Sequence, residues 1–150
     1  MEQKTSPEKI RKLAKALDDA IEKRDIEEIA SYFSDDCEIE LLGINLVGKE
    51  GLGKAIGWMY RYLKRIDLVP VTIMVDGNVF FEEFIVKAKV KGDKEIQVKQ
   101  AEVLVYDEEY KVRSLRLYFD RLELAEAFTS NFIERMMIKK LIGLSLKGLQ

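Results

Sequence analysis

A change of period at Leu68 constrains this chain more than any other feature. From there to Asp120 the run "LVPVTIMVDGNVFFEEFIVKAKVKGDKEIQVKQAEVLVYDEEYKVRSLRLYFD" is rich in Val, Ile, Phe and Tyr and reads as extended. Turn signals at Asp76-Gly77-Asn78 and Gly92-Asp93, with a charged turn near Glu108-Glu109, divide it into four strands. Turns this short join antiparallel neighbours, so the run predicts a four-stranded meander. Such a sheet buries one face, and the segments on either side supply helices to cover it.

Before the run, Ser6 is a candidate N-cap with Pro7 in the first helical position. Ile10, Leu13, Ala14, Leu17 and Ile21 then recur at helical spacing. Asp25 predicts a second cap and a short helix ending near Ser34, and "CEIELLG" predicts a short strand. "GKEGLGKAIGWMYRYLKRI" places Leu52, Ala55, Ile56, Met59, Tyr60 and Leu63 on one helical face, with glycines that weaken only its start. After the run "RLELAEAFTSNFIERMMIKKLIGLSLKGLQ" returns to helical spacing, with a capping box at Asn131 and Glu134 and a stop at Gly143. Asp120 reads as a cap for the closing helix ahead of a pocket-rim role. Helices gathered on one face of a curved antiparallel sheet make an α+β domain, here a single one over residues 1–150.

Composition narrows the classes of function. The chain is 47% hydrophobic and 35% charged, with 25 basic and 27 acidic residues interspersed, which suits a globular domain and exerts no long-range pull on nucleic acid. No apolar run is long enough to span a membrane. The single cysteine, Cys37, makes no intrachain disulfide, and "MEQKTSPEKIRKLAK" is charged where a signal segment would be apolar, so a cytoplasmic protein is expected. The absence of His excludes Ser/His and Cys/His nucleophile systems and the ordinary catalytic zinc site. "GKEGLGKA" nearly spells a phosphate loop, but Ala55 stands where the magnesium-binding hydroxyl belongs. Asp35, Asp36, Glu38 and Glu40 in "SDDCEIE" fit a helix-to-strand corner better than a cation site, and no metal or cofactor is expected.

With "YFSDDCEIELLG", "LVGKEGLGKAI" and "VRSLRLYFDRLELAEAF" at its landmarks, the chain resembles the nuclear-transport-factor-two-like superfamily, and within it the SnoaL-like and ketosteroid-isomerase-like branch. The resemblance covers roughly residues 8–128, leaving 129–150 as a helical extension. It implies a cone-shaped α+β barrel, usually dimeric, whose helices and curved sheet enclose an apolar pocket. Position by position, the isomerase base falls on Leu41, the oxyanion tyrosine near Leu17, and the second acid on Glu102, in "AEVLVYDEE". The residues that limonene-epoxide hydrolases use fall near Glu83, Ile85 and Leu117. Neither catalytic set is complete, so the resemblance carries the fold without the chemistry.

Glu102 gains interest from its neighbour. If Gly92-Asp93 is a two-residue hairpin loop, Lys91 opposes Lys94 and Glu83 lies directly across from Glu102. Phe81 with Leu104 and Ile85 with Gln100 then share that face, and Glu82 goes to the other, opposite Val103. Two carboxyls facing each other in an apolar pocket would share a proton, which makes Glu102 and Glu83 a candidate acid and base pair with Gln100 beside them. Strand parity and the resemblance put Ile39, Leu41, Phe81, Leu104, Leu115, Leu117 and Phe119 in the apolar wall, with Trp58 added from the third helix. The alternative is a bulge that shifts the register by one and sends one glutamate to solvent or to a lysine.

The tail after Thr129 has a broad apolar face, with Phe132, Ile133, Met136, Met137, Leu141 and Ile142. A lid on the pocket, a dimer contact and plain core packing all stay open for it. Two functions follow as expectations. The first is a dimeric domain that binds a small hydrophobic molecule without turnover. The second is an isomerase or hydrolase that uses Glu83 and Glu102 for proton transfer.

Overall fold

The computed structural model describes residues 5–150; Met1–Lys4, part of the charged opening stretch, lie outside the described residues. Helix α1 (Pro7–Lys23) starts where Ser6 accepts a hydrogen bond from the Lys9 N–H, and it buries Ile10, Ala14, Leu17 and Ala20. Helix α2 (Ile26–Ser31) is capped by Asp25, whose carboxylate accepts from the Glu28 N–H. It stops short of Ser34 because strand β1 (Phe33–Leu41) has already begun. Leu42 and Gly43, both at positive φ, turn the chain into a strand the sequence reading missed, β2 (Ile44–Val47). Helix α3 (Gly48–Tyr62) follows at once. Its Gly51 does more than weaken the helix start: a Cβ there would lie 2.9 Å from the Leu46 carbonyl carbon, so only glycine lets α3 press onto β2.

The meander is β3 (Leu63–Asp76), β4 (Val79–Val90), β5 (Glu95–Tyr106) and β6 (Val112–Phe119). It begins at Leu63, five residues before the change of period, since that residue is already extended. The six strands form one curved, unclosed sheet in the order β2-β1-β6-β5-β4-β3. All neighbours are antiparallel except β1 and β6, which run parallel. Register shifts at Phe33/Glu38, Pro70/Thr72 and Val105/Tyr106 mark where strands bend into the cone. Helix α4 (Arg121–Phe128) starts at Asp120, whose carboxylate accepts from the Leu122 N–H at 2.9 Å. Helix α5 (Phe132–Ser145) is capped by Asn131, and it runs through Gly143, which is not a stop.

The β4–β5 hairpin departs from the expected register. The Val90 N–H donates to the Lys94 carbonyl at 2.9 Å, so three residues, Lys91, Gly92 and Asp93, form the loop instead of two. One added loop residue moves every cross-strand partner by one, and Glu102 faces Glu82, while Glu83 faces Ala101. The shift arises in the loop, with no bulge between the two strands. Phe80, Glu82, Phe84, Val86, Ala88 and Val90 point inward, with Glu83, Lys87 and Lys89 on the opposite face.

Two apolar clusters fill the cone. One holds Ile10, Leu17, Phe33, Ile39, Phe80, Leu104 and Tyr106, together with the buried Cys37. The other holds Ile66, Phe84, Val86, Val98 and the neighbouring hairpin residues, against which Leu124 and Phe128 of α4 pack. Glu82 and Glu102 sit at the seam, one inward step beyond Phe80 and Leu104. The observed register predicts different costs for two residues that were expected to share a wall. Leu104→Ala, at a site with no exposure, should cost about 2–5 kcal/mol by urea unfolding. Phe81→Ala, on the outer face, should cost about 1 kcal/mol or less.

Candidate functional site

A cavity of about 150 Å³ opens between α1, α3, α4 and the concave face of the sheet. An apolar cavity of that volume holds about one benzene ring. Its floor and walls include Ile39, Leu41, Leu115, Leu117 and Phe119 from the sheet and Trp58 from α3. Trp58, Tyr62 and Phe128 form an edge-to-face chain, with ring centres 6.0 and 5.4 Å apart, that joins α3 to α4. Apart from the Tyr62 hydroxyl and the Trp58 indole N–H, the polar side chains in the lining are Asp18, Gln100 and Glu102, and no Lys or Arg is among them.

Two residues expected in the wall lie elsewhere. Phe81 pairs with Val103 on the outer face, a direct result of the longer hairpin loop. Leu104 faces inward but is wholly buried in the first apolar cluster and does not reach the cavity. Glu83, the expected base, is exposed on the outer face, where its carboxylate accepts a 3.0 Å hydrogen bond from the Thr72 hydroxyl. The face-to-face pair of Glu83 and Glu102 is therefore replaced by Glu82 and Glu102. Asp35, Asp36, Glu38 and Glu40 are exposed at the β1 corner. Among the tail residues, Phe132, Ile133, Met136, Met137 and Leu141 are exposed, so α5 is not core packing, and none of them lines the cavity. Leu124 and Phe128 of α4, ahead of that tail, line the cavity instead.

A third acid completes the cluster. Asp18 of α1 approaches Glu82 and Glu102 so that one carboxyl oxygen from each lies within 4.8 Å of the other two. That spacing would accept a hard cation, and it is the one such group among the described residues. Glu82 is 2% exposed and Glu102 is 8% exposed, so neither can ionise with water as its partner. Burial raises the Glu102 pKa well above the carboxylate range, and the charges of Asp18 and Glu82 add to the rise. Burial likewise lifts Glu82, against a hydrogen bond with Asp18 that favours its ionised form. Asp18 is pushed up to about 8, first by burial and then by Glu82, with Lys15 pulling the other way. Tyr106, below this group on β5, has a buried hydroxyl with no hydrogen-bond partner, and burial together with Glu102 and Asp18 raises its pKa.

Asp18 also lines a second, more polar groove with Arg11, Lys12, Lys15 and Glu82. The acid group therefore stands between the apolar cavity and the surface. Asp18 was legible in principle, because Ala14, Asp18 and Ile21 fall on one helical face and an acid within an apolar stripe is a warning of function. Strand parity could have found Glu82. Glu83 shares its parity with Lys87 and Lys89, which belong outside.

All three acids have folded pKa values above their unfolded ones, so the folded state holds extra protons between about pH 4 and 8. The associated stability is fully present below about pH 4 and is lost as pH rises through about 8. The thermal midpoint should fall over that window. Glu102→Gln should flatten the fall and raise the midpoint at pH 8 by about 2–8 °C, while Glu83→Gln should leave the profile unchanged; scanning calorimetry from pH 5 to 8 checks both.

The model of the SnoaL-like domain family matches residues 14–114. Among solved structures, a protein from Jannaschia sp. described as a SnoaL-like polyketide cyclase is 12% identical, with a TM-score of 0.75 over 87% of this chain and 99% of its own. A nuclear-transport-factor-two-like protein of unknown function from Burkholderia pseudomallei is 13% identical, with a TM-score of 0.74 over 81% of this chain and 98% of its own. An epoxide hydrolase/cyclase-like enzyme of pyran ring formation in the polyether salinomycin is 12% identical, with a TM-score of 0.69 over 77% and 94%. Identities this low establish likeness of fold alone. No curated protein sequence matches the chain significantly.

Proposed function

The chain belongs to the SnoaL-like domain family, and from that premise we propose that its cone binds one small, largely apolar molecule of about the size of a single ring. The observation that carries this reading is the cavity itself: a wall of Ile, Leu, Phe and Trp side chains with Asp18, Gln100 and Glu102 gathered at one side. Apolar walls supply the binding free energy, and the polar corner orients the guest. Leu41 and Leu17, which fall where the isomerase branch has its base and tyrosine, leave the family's own proton chemistry without its groups.

A second reading is proton transfer on the bound molecule, with Glu102 as acid and the Asp18 and Glu82 carboxyls exchanging its proton. It is favoured by the carboxyl cluster, which can hold a proton at neutral pH on a group that faces the cavity. The pairing with Glu83 plays no part in it.

Association into a homodimer belongs to the same proposal. On the outer face of the sheet, exposed Met74 pairs with Phe81 and exposed Tyr118 lies diagonal to Val103, with Arg116 and Glu83 among them, a mixed apolar and charged surface suited to a second copy.

Trp58, the chain's one tryptophan, reports directly on the cavity. Toluene should shift its fluorescence saturably, and Ala55→Phe, which fills the cavity from α3, should weaken that binding about tenfold while the fold is retained. An unchanged response in Ala55→Phe would remove the cavity as the binding site. Native mass spectrometry should give a dimer mass that Met74→Glu reduces to that of a monomer.

A further inference from the structure

We propose that the molecule held in this cavity carries a basic nitrogen, so that an ammonium group lies against Glu102 while its apolar body fills the space beneath Trp58. The inference rests on the cavity being a ligand site and names the class of ligand. Glu102 is more than nine-tenths buried, faces the cavity, and has no hydrogen bond or ion pair with any described residue. The groups facing it are Glu82 from β4, Asp18 from α1 and the Tyr106 hydroxyl from its own strand, while β6 presents Leu117. Farther along α1, Asp19 and Glu22 add negative charge around Asp18, Lys15 opposes it, and Arg11 and Lys12 lie in the same outer groove. Gln100 is the remaining polar neighbour in the lining and can accept or donate.

The sign of this environment selects the guest. The cavity wall holds acids and no Lys or Arg, the cations Arg11, Lys12 and Lys15 lying on the outer-groove side, so an anionic guest gains no counter-charge there and a neutral guest leaves ionisation of the cluster unoffset. A cation supplied by the guest offsets it, and the aromatic rings of Trp58, Tyr62 and Phe128 suit its alkyl or aryl part as well as its charge. A bare divalent ion fits less well, because it takes six or more oxygen ligands or keeps its own waters, and the cavity beside Glu102 is apolar. When the ammonium docks, a carboxyl that held a proton gives it to solvent and the resulting carboxylate accepts hydrogen bonds from the N–H groups. No covalent bond changes. The half-buried Asp18, which also lines the outer groove, gives that proton a way out.

Binding and proton release are then linked. Isothermal titration with benzylamine, benzyl alcohol and benzoate, three probes that share one ring, separates the possibilities. Benzylamine should bind at least about tenfold more tightly than benzyl alcohol at pH 7, and benzoate should not bind. Its affinity should rise about tenfold per pH unit from about pH 5 to 7, and its heat should depend on the buffer's ionisation enthalpy by an amount equal to about one released proton. Glu102→Gln and Asp18→Asn should each remove most of the preference for the amine while leaving benzyl alcohol within about twofold, and Glu83→Gln should change neither. Equal binding of the amine and the alcohol, or an amine affinity that ignores pH and both variants, would overturn the inference and leave the cavity as a site for neutral guests. Heat from manganese or magnesium chloride that Glu102→Gln abolishes would assign the cluster to a metal ion and overturn it as well. If none of the three ring compounds binds, the ligand-site reading itself fails, and the inference with it.

Discussion

The site depends on one hydrogen bond, from the Val90 N–H to the Lys94 carbonyl, which closes a three-residue loop between β4 and β5. Because side chains alternate faces along a strand, the loop length decides which of two adjacent glutamates enters the cone. With three residues in the loop, the apolar residues of both strands face the same interior, and Glu82 and Glu102 arrive there together. A two-residue loop would have set the inward residues of one strand against the outward residues of the other. The charged Lys87 would then have faced Val98 inside the cone. Burial of nine apolar side chains on the two strands therefore enforces the register, and the acid pair is carried along by it.

That burial has an electrostatic consequence. Glu82 and Glu102 lie between two apolar clusters. An ionised carboxylate there lacks water and a basic partner, and α1 adds Asp18 in place of a lysine. The group lowers its cost by keeping protons, which couples the stability of the fold to pH and the state of the cavity to whatever enters it. The unpartnered Tyr106 hydroxyl lies in the same region. Polar groups left this way in an otherwise well-packed core point to use, since packing alone would favour their replacement by apolar residues.

Legibility in the sequence followed the range of the interactions involved. Ser6, Asp25, Asp120 and Asn131 cap their helices as expected because a cap involves only residues two or three apart. The meander was legible from alternation and turn residues, and the landmarks at both ends led to the right family. β2 was not, because four largely exposed residues carry little periodic signal. Gly143 was misread because glycine only weakens a helix interior and does not end it. The partner of Glu102 is hidden in the sequence because Gly92-Asp93 suits a two-residue turn, whereas the parity of Lys87 and Lys89 is what fixes the outer face.

The sequence by itself determined most of the elements, four helix caps, the α+β class and the presence of Glu102 on an inward-facing strand, features set largely by contacts between residues close along the chain. Tertiary structure decided what surrounds Glu102. Asp18 comes from a helix more than 80 residues away, Glu82 from a register set by a loop, and Trp58 and Phe128 from helices placed on the open side of the cone. Those distances close only when the apolar faces of separate elements are packed together, so the chemistry of the cavity belongs to the fold as a whole.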